Sequence, residues 1–241
     1  MKPIRHAAAA LAFFFALVPF AGAQDLDKIK KNLTEHLPGI GKIDEVSKTP
    51  MPGVFEVRVG LDLFYTDVGG NYVLQGEMID PRQKRNLTEE RQNKLLAIPF
   101  DQLPLKDAFV ITRGNGKRRV AIFEDPNCPY CKRFEQDLQK ISDVTIYMFL
   151  YPILGADSTD KSRNLWCAKD RGGAWLDWMV RQKPAAEAKC DVAAVNRNVE
   201  FGKKYKIAGT PTMILEDGKR VPGALPSPEV EKLLAQAAQA K

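Results

Sequence analysis

The residues best placed to do chemistry in this chain are Cys128 and Cys131, within Phe123-Glu124-Asp125-Pro126-Asn127-Cys128-Pro129-Tyr130-Cys131. The apolar run Arg119 to Phe123 reads as a strand that passes through a turn into a helix opening near Cys128. Cysteines three apart on a helix share a face and lie close enough to bond. The first sits where unpaired N–H groups and the helix dipole favour negative charge. Thiols so placed ionise at about 3.5–7.5, which makes one nucleophilic at neutral pH. Pro129 fits the first helical turn, where no N–H is needed.

Other readings of the pair compete with a redox-active one. A zinc half-site would need two further ligands. The remaining cysteines, Cys167 and Cys190, show no knuckle spacing, and the second half of the chain holds no histidine. That lack also disfavours a Cys–His protease. An inert short-loop disulfide is the third reading, and a thiol pair at a helix start is more typically reactive. The expected chemistry is therefore thiol–disulfide exchange by the Cys128–Cys131 pair, with no metal and no bound cofactor.

The N-terminus bears on the compartment. Lys2 and Arg5 precede an apolar run from Ala7 to Phe20 and the small-residue stretch Ala21-Gly22-Ala23. This reads as a secretory signal peptide cut after Ala23, and the run is shorter than the ~20 residues a membrane span requires. The export it implies places the protein where disulfides persist, the periplasm in a bacterium. Cys167 and Cys190 lie in a mostly helical stretch away from the reactive turn, and in an exported chain they read as a structural disulfide.

Composition sets the frame. In 241 residues, 44% are hydrophobic and 27% charged, which is globular rather than disordered. The formal charge of +6 includes Lys2 and Arg5 of the leader. The basic clusters Lys28–Lys31, Arg82–Arg85 and Lys117–Arg119 lack interleaved aromatics and read as solvated faces, so no nucleic-acid partner is expected.

The elements that must position the cysteines follow from periodicity. Asp25 to Leu37 has helical spacing, stopped by Pro38-Gly39. Alternation over 54–59 and 61–65, then a turn at 67–71 and a strand over 72–79, makes a meander. Residues 24–85 form this small unit, which buries little surface alone and invites pairing with a second copy through a sheet edge. Residues 86–106 read as a helical linker, capped by Asn86 or Thr88, with Pro99 ending or kinking it. Residues 107–241 then give strands at 108–112, 119–123 and 144–150. A long helical stretch over 155–205 follows, then a hairpin at 213–221 and a last helix from Ser227. That order suggests an α/β sandwich with a helical insert.

Taken together, Cys128-Pro129-Tyr130-Cys131, Trp166-Cys167-Ala168-Lys169-Asp170, Cys190-Asp191, Gly209-Thr210-Pro211 and Val221-Pro222-Gly223 resemble the periplasmic disulfide isomerase family of the DsbC and DsbG type, in the thioredoxin superfamily. The resemblance implies an α+β protein: a cystatin-like N-terminal dimerisation domain, a linker helix and a thioredoxin-like domain with a helical insertion. It implies a homodimer whose cleft receives misfolded or mis-oxidised exported proteins, and electrons from a membrane reductase of the DsbD type. It makes Pro129 and Tyr130 the active-site dipeptide. Pro211 becomes the cis-proline of a substrate-facing loop with Thr210, leaving backbone free to pair with an extended chain. Isomerisation of wrong disulfides is the leading expectation. A reductase of protein sulfenic acids and a chaperone are the alternatives. One departure stands out. Thioredoxins carry a buried acid six residues before the first cysteine, where this chain has Ile122; Glu124 and Asp125 are nearby, with no role assignable to either.

Overall fold

The computed structural model describes residues 23–239. The leader assigned to 1–23 lies outside them apart from Ala23. No helix among the described residues is long and apolar enough to cross a membrane. The chain divides into two compact units between Ile79 and Asp80.

The first unit opens with helix α1 (Ala23–His36) and continues as a four-stranded antiparallel sheet. Its strands, β1 (Glu45–Lys48), β2 (Val54–Val59), β3 (Asp62–Asp67) and β4 (Val73–Leu74), pair in chain order. The period-two pattern of β2 puts Phe55 and Val57 against Ile29 and Leu33 of α1, with Ile43 beside them. Strand β1 has one apolar residue in four, too little for periodicity to reveal. The strand expected over 72–79 pairs only at Val73–Leu74, where both side chains are exposed. An edge strand that buries nothing has little to extend it, and Gly76 follows two residues after its end. Ile79–Asp80 (β5) instead forms a two-stranded ribbon with Arg85–Asn86 (β6).

The segment read as a helical linker over 86–106 is α-helical only across Leu87–Leu96 (α2), followed by single 3-10 turns at Phe100–Gln102 and Leu105–Asp107. Asn86 caps it, accepting the Glu89 N–H at 3.1 Å. Beyond Leu96 the chain is not a linker but core. Ile98, Phe100 and Leu103 are buried with Phe123, Phe149 and Ile214. Ile98 N–H donates to Gly218 O at 2.9 Å, and the buried Arg220 guanidinium donates to the carbonyls of Leu96, Lys206 and Tyr205 at 2.7–3.0 Å. Apolar residues here serve tertiary burial rather than a helical stripe, and Pro99 and Pro104 exclude a continuous helix.

The rest of the second unit is a five-stranded sheet in the order β11-β10-β8-β9-β7. Its strands are β7 (Phe109–Arg113), β8 (Arg118–Glu124), β9 (Val144–Leu150), β10 (Thr212–Leu215) and β11 (Arg220–Pro222). The central pair β8 and β9 is parallel, joined through helix α3 (Pro129–Leu138), and the other pairings are antiparallel. Strand β7 pairs with β9 although a tight turn joins it to β8. Both faces of β8 are buried, as a central strand requires. Val120 and Ile122 face a cluster that includes Cys131 and Phe134 of α3, while Ala121 and Phe123 face the opposite cluster with Ile98.

The helical stretch expected over 155–205 is three helices, α4 (Ala156–Cys167), α5 (Arg171–Met179) and α6 (Ala193–Lys204). Residues 182–192 between the last two carry no regular structure. That irregular segment is tied down by a disulfide between Cys167 and Cys190, with S–S 2.07 Å and Cα–Cα 5.7 Å. The Trp166 indole N–H adds a bond to Asp191 O at 3.1 Å. Helix α7 (Ser227–Gln239) closes the chain against the Cys131 side of the sheet through Val230 and Leu234.

The disulfide closes a loop of sequence separation 23. By the chain-entropy relation its removal costs about 3 kcal/mol. A Cys167→Ala/Cys190→Ala variant is expected to lose stability of that order in urea denaturation, with alkylation of Cys128 unchanged.

Candidate active site

Strand β8 ends at Glu124, and residues 125–128 turn the chain into α3. Cys128 is the N-cap residue and Pro129 the first helical residue. Four hydrogen bonds to one buried carboxylate fix the turn. Asp125 Oδ1 accepts from Asn127 N–H at 2.8 Å and from the Ser158 hydroxyl at 2.7 Å. Its Oδ2 accepts from the N–H groups of Ile153 and Leu154 at 2.8 and 2.9 Å. Asp125 thus joins the cysteine turn to the loop after β9 and to α4. Its hydrogen-bonding capacity is taken up by structure.

A second set of contacts holds the turn from outside. The Trp178 indole N–H donates to Pro126 O at 2.6 Å, and Lys132 and Lys161 place their ammonium groups 4.1 and 4.8 Å from its ring centroid. Lys161 also donates to Asn127 Oδ1 at 2.8 Å. Stacked cations and a fixed indole give the turn little room to move. Sequence reading passed over Trp178, because a tryptophan in an apolar helical stretch carries no signal that its N–H reaches a distant carbonyl.

The two sulfurs differ sharply. Cys128 Sγ accepts the N–H of Cys131 at 3.3 Å and, as a thiol, donates to Thr210 O at 3.3 Å. Its pKa is lowered to about 6. The largest cause is the hydrogen bond from the Cys131 thiol; burial opposes it, and the Thr210 side chain and the N–H groups of Cys131 and Tyr130 add to it. Cys131 is fully buried beneath, and burial, the bond to Cys128 and the nearby Glu124 push its thiol far up. One residue is thus a ready nucleophile and the other a reserve that keeps its proton.

The remaining residues singled out from the sequence fall around this pair. Tyr130 is 64% exposed and Pro129 is exposed, so the dipeptide lies on the surface. The Thr210–Pro211 bond is cis, and Pro211 is buried with Thr210 half-buried at the sulfur. Gly223 N–H donates to Pro211 O at 2.8 Å, which ties the Val221-Pro222-Gly223 stretch to the same loop. Cys167 and Cys190 are bonded to each other, which removes them as ligands for a zinc site at Cys128. Exposed Ile153 and Leu154, on the loop Asp125 holds, were not singled out, nor was Glu135. For Glu135 a signal existed: a carboxylate on the otherwise apolar face of Cys131, Phe134 and Leu138.

A thiol ionising near 6 gives a checkable profile. The alkylation rate of Cys128 by iodoacetamide is expected to reach half its plateau near pH 6. A Thr210→Val variant, which loses one stabilising side chain, is expected to move that midpoint upward.

Comparison with known proteins places this geometry. Residues 105–238 match the family described as a thioredoxin-like domain, and residues 20–89 match the disulfide bond isomerase protein N-terminal domain. A probable thiol:disulfide interchange protein DsbC of Bordetella parapertussis is 43% identical over 208 residues, covering 86% of this chain and 74% of that protein. The thiol:disulfide interchange protein DsbC of Escherichia coli is 28% identical over 227 residues, covering 92% and 93%. A crystal structure of a disulfide interchange protein from Neisseria gonorrhoeae superposes with a TM-score of 0.54 at 39% identity, covering 56% of this chain and 98% of that one. With a low-pKa thiol opening α3, a buried partner beneath it and both family domains in sequence, this chain belongs to the DsbC family of thiol:disulfide interchange enzymes.

Proposed function

We propose that the protein is a periplasmic disulfide isomerase that also acts as a reductase on exported proteins. The observation that carries the reading is the asymmetry of the two sulfurs, a thiolate-prone Cys128 capping α3 beside the exposed Pro129–Tyr130 dipeptide and a fully buried, protonated Cys131 beneath it. The Cys128 thiolate attacks one sulfur of a wrong substrate disulfide. A Cys128–substrate bond forms, the substrate S–S bond breaks, and the other substrate sulfur leaves as a thiolate. If a different substrate thiolate then attacks the mixed disulfide, a new substrate disulfide forms and Cys128 is released unchanged in oxidation state. If Cys131 attacks instead, the substrate leaves reduced and the Cys128–Cys131 disulfide forms. Its two electrons must then be restored from outside, which fits a membrane reductase of the DsbD type. Because Cys131 holds its proton, the first exit has time to occur, and this favours isomerisation.

The first unit supports a homodimer. Strand β4 is an edge strand with Val73 and Leu74 exposed, as is Tyr72 just before it, and such an edge pairs readily with a second copy. Export to the periplasm rests on the charged start, apolar run and small-residue site over 1–23.

Three measurements test the reading. In refolding of a scrambled multi-disulfide protein, Cys128→Ser is expected to be inactive, and Cys131→Ser to accumulate a covalent substrate adduct. Full isomerisation by Cys128→Ser would overturn the assignment. Faster turnover of a sulfenylated protein than of the scrambled one would instead favour a sulfenic acid reductase. For the dimer, a Val73→Lys/Leu74→Lys variant is expected to sediment as a monomer and to lose scrambled-protein refolding, while Cys128 alkylates at the normal rate.

A further inference from the structure

The mechanism leaves one event unexplained. Cys131 must lose a proton to attack the mixed disulfide, in a place that water does not reach. Burial holds that proton tightly. The position where thioredoxins keep a buried acid is Ile122, packed among apolar residues.

Strand geometry supplies another acid. Side chains on a strand return to the same face every second residue. Val120 and Ile122 face α3, so Glu124 faces α3 as well, one pleat nearer the cysteines. Helix geometry supplies a second one. Glu135 lies four residues after Cys131, on the same face of α3. Both carboxyls are fully buried. Glu135 Oε1 accepts the Trp175 indole N–H at 2.7 Å, but its Oε2 and both oxygens of Glu124 meet no donor. Three orphaned carboxylate oxygens in a protein interior are costly, and two charges side by side there are costlier. A single proton held between the two carboxyls relieves both problems.

We propose that Glu124 and Glu135 share one proton and together form the buried acceptor that takes the Cys131 proton when the mixed disulfide is resolved. Arg113, whose electrostatic attraction favours the charged form of Glu135, and Trp175 place the resting negative charge on Glu135 and the shared proton on Glu124. The transfer then balances. Cys131 gives its proton to Glu124 as Glu124 passes its own to Glu135. The Cys131 thiolate attacks Cys128 Sγ, the Cys128–Cys131 bond forms, and the Cys128–substrate bond breaks. The substrate sulfur leaves with the electron pair and is protonated from solvent. The two cysteines are oxidised by two electrons and the substrate is reduced by two. Later reduction of the pair returns the proton to Cys131. The titratable and charged groups facing the carboxyls are Cys128 and Cys131 at the start of α3 and Arg113 on β7; α5 contributes the neutral Trp175.

The inference rests on the exchange mechanism proposed above, and a two-step probe separates the two. Reduced protein mixed with dithiobis-nitrobenzoate in a stopped-flow instrument releases one coloured thiolate when Cys128 attacks and a second when Cys131 resolves. Wild-type protein lacking the first release would overturn the exchange mechanism itself. Glu124→Gln is expected to leave the first release within about twofold and to slow the second by about a hundredfold, the low side of what a positioned acid or base contributes. The wild-type second phase is expected to rise with pH as the pair gives up a proton and then level off, with levelling displaced upward in the variant. Glu135→Gln, which keeps an acceptor for Trp175, is expected to act likewise and decides the matter should Glu124→Gln fold poorly. Glu124→Asp is expected to restore part of the rate. A merely structural role predicts otherwise, since a neutral isostere relieves the buried charge. Equal or higher urea stability with a slower second phase supports the relay. A wild-type second-phase rate and pH profile in both glutamine variants would overturn it.

Discussion

Everything in the second unit is arranged around one constraint: two sulfurs close enough to bond must hold opposite protonation states until a substrate arrives. Sequence spacing brings Cys128 and Cys131 together but cannot make them different. Position on the helix does that. Cys128 is the cap, where its sulfur accepts the Cys131 N–H and the unpaired N–H groups of the first turn favour negative charge. Cys131 lies one turn in, where the same helix is packed on the sheet and ionisation would mean an unsolvated charge. The difference in reactivity follows from about one helical turn of depth.

That depth is only meaningful if the turn before α3 does not move. The structure spends several strong interactions on it, drawn from several elements. Asp125 fastens the turn to the loop after β9 and to α4, Trp178 of α5 holds Pro126, and Lys161 of α4 holds Asn127. From the other side the Thr210 carbonyl meets Cys128 at the start of β10. The helical insert, which adds nothing to the central sheet, therefore braces the reactive turn. The Cys167–Cys190 disulfide restrains the one irregular stretch of that insert. A disulfide exchanger so keeps a permanent disulfide where the chain lacks regular structure, away from its working pair.

Much of this was legible in the sequence because local rules suffice for it. A strand, a turn and Cys-x-x-Cys with proline at the first helical position define the reactive element without tertiary knowledge. The hairpin and the last helix likewise follow from turn and cap chemistry. What failed needed distant partners. The stretch after Leu96 looked like linker helix because its apolar residues sit at loose intervals, and only the sheet and Arg220 give those residues a destination. Strand β4 was read too long because alternation continues past the point where anything covers it. Trp178 and Arg220 act through single polar atoms reaching carbonyls elsewhere in the chain, and neither period nor composition encodes that.

Buried charge in this domain comes in two kinds, and the contrast gives the carboxyl pair its meaning. Asp107 is buried and meets the Arg197 guanidinium by a two-pronged bond, Nε to Oδ2 at 2.8 Å and Nη2 to Oδ1 at 2.5 Å. Asn198 binds the Asp107 carbonyl beside it. Such a site is satisfied, and its effect is to dock α6 beside the sheet. Arg220 likewise finds three carbonyls. Glu124 finds none, although a leucine or methionine there would pack against Cys131 and the apolar cluster at no electrostatic cost. Asp107 has both oxygens met by a guanidinium, whereas the fully buried Glu124 has only the neighbouring Glu135 carboxyl to share a proton with, and that pair beside the resolving sulfur is an acceptor for a proton that has nowhere else to go.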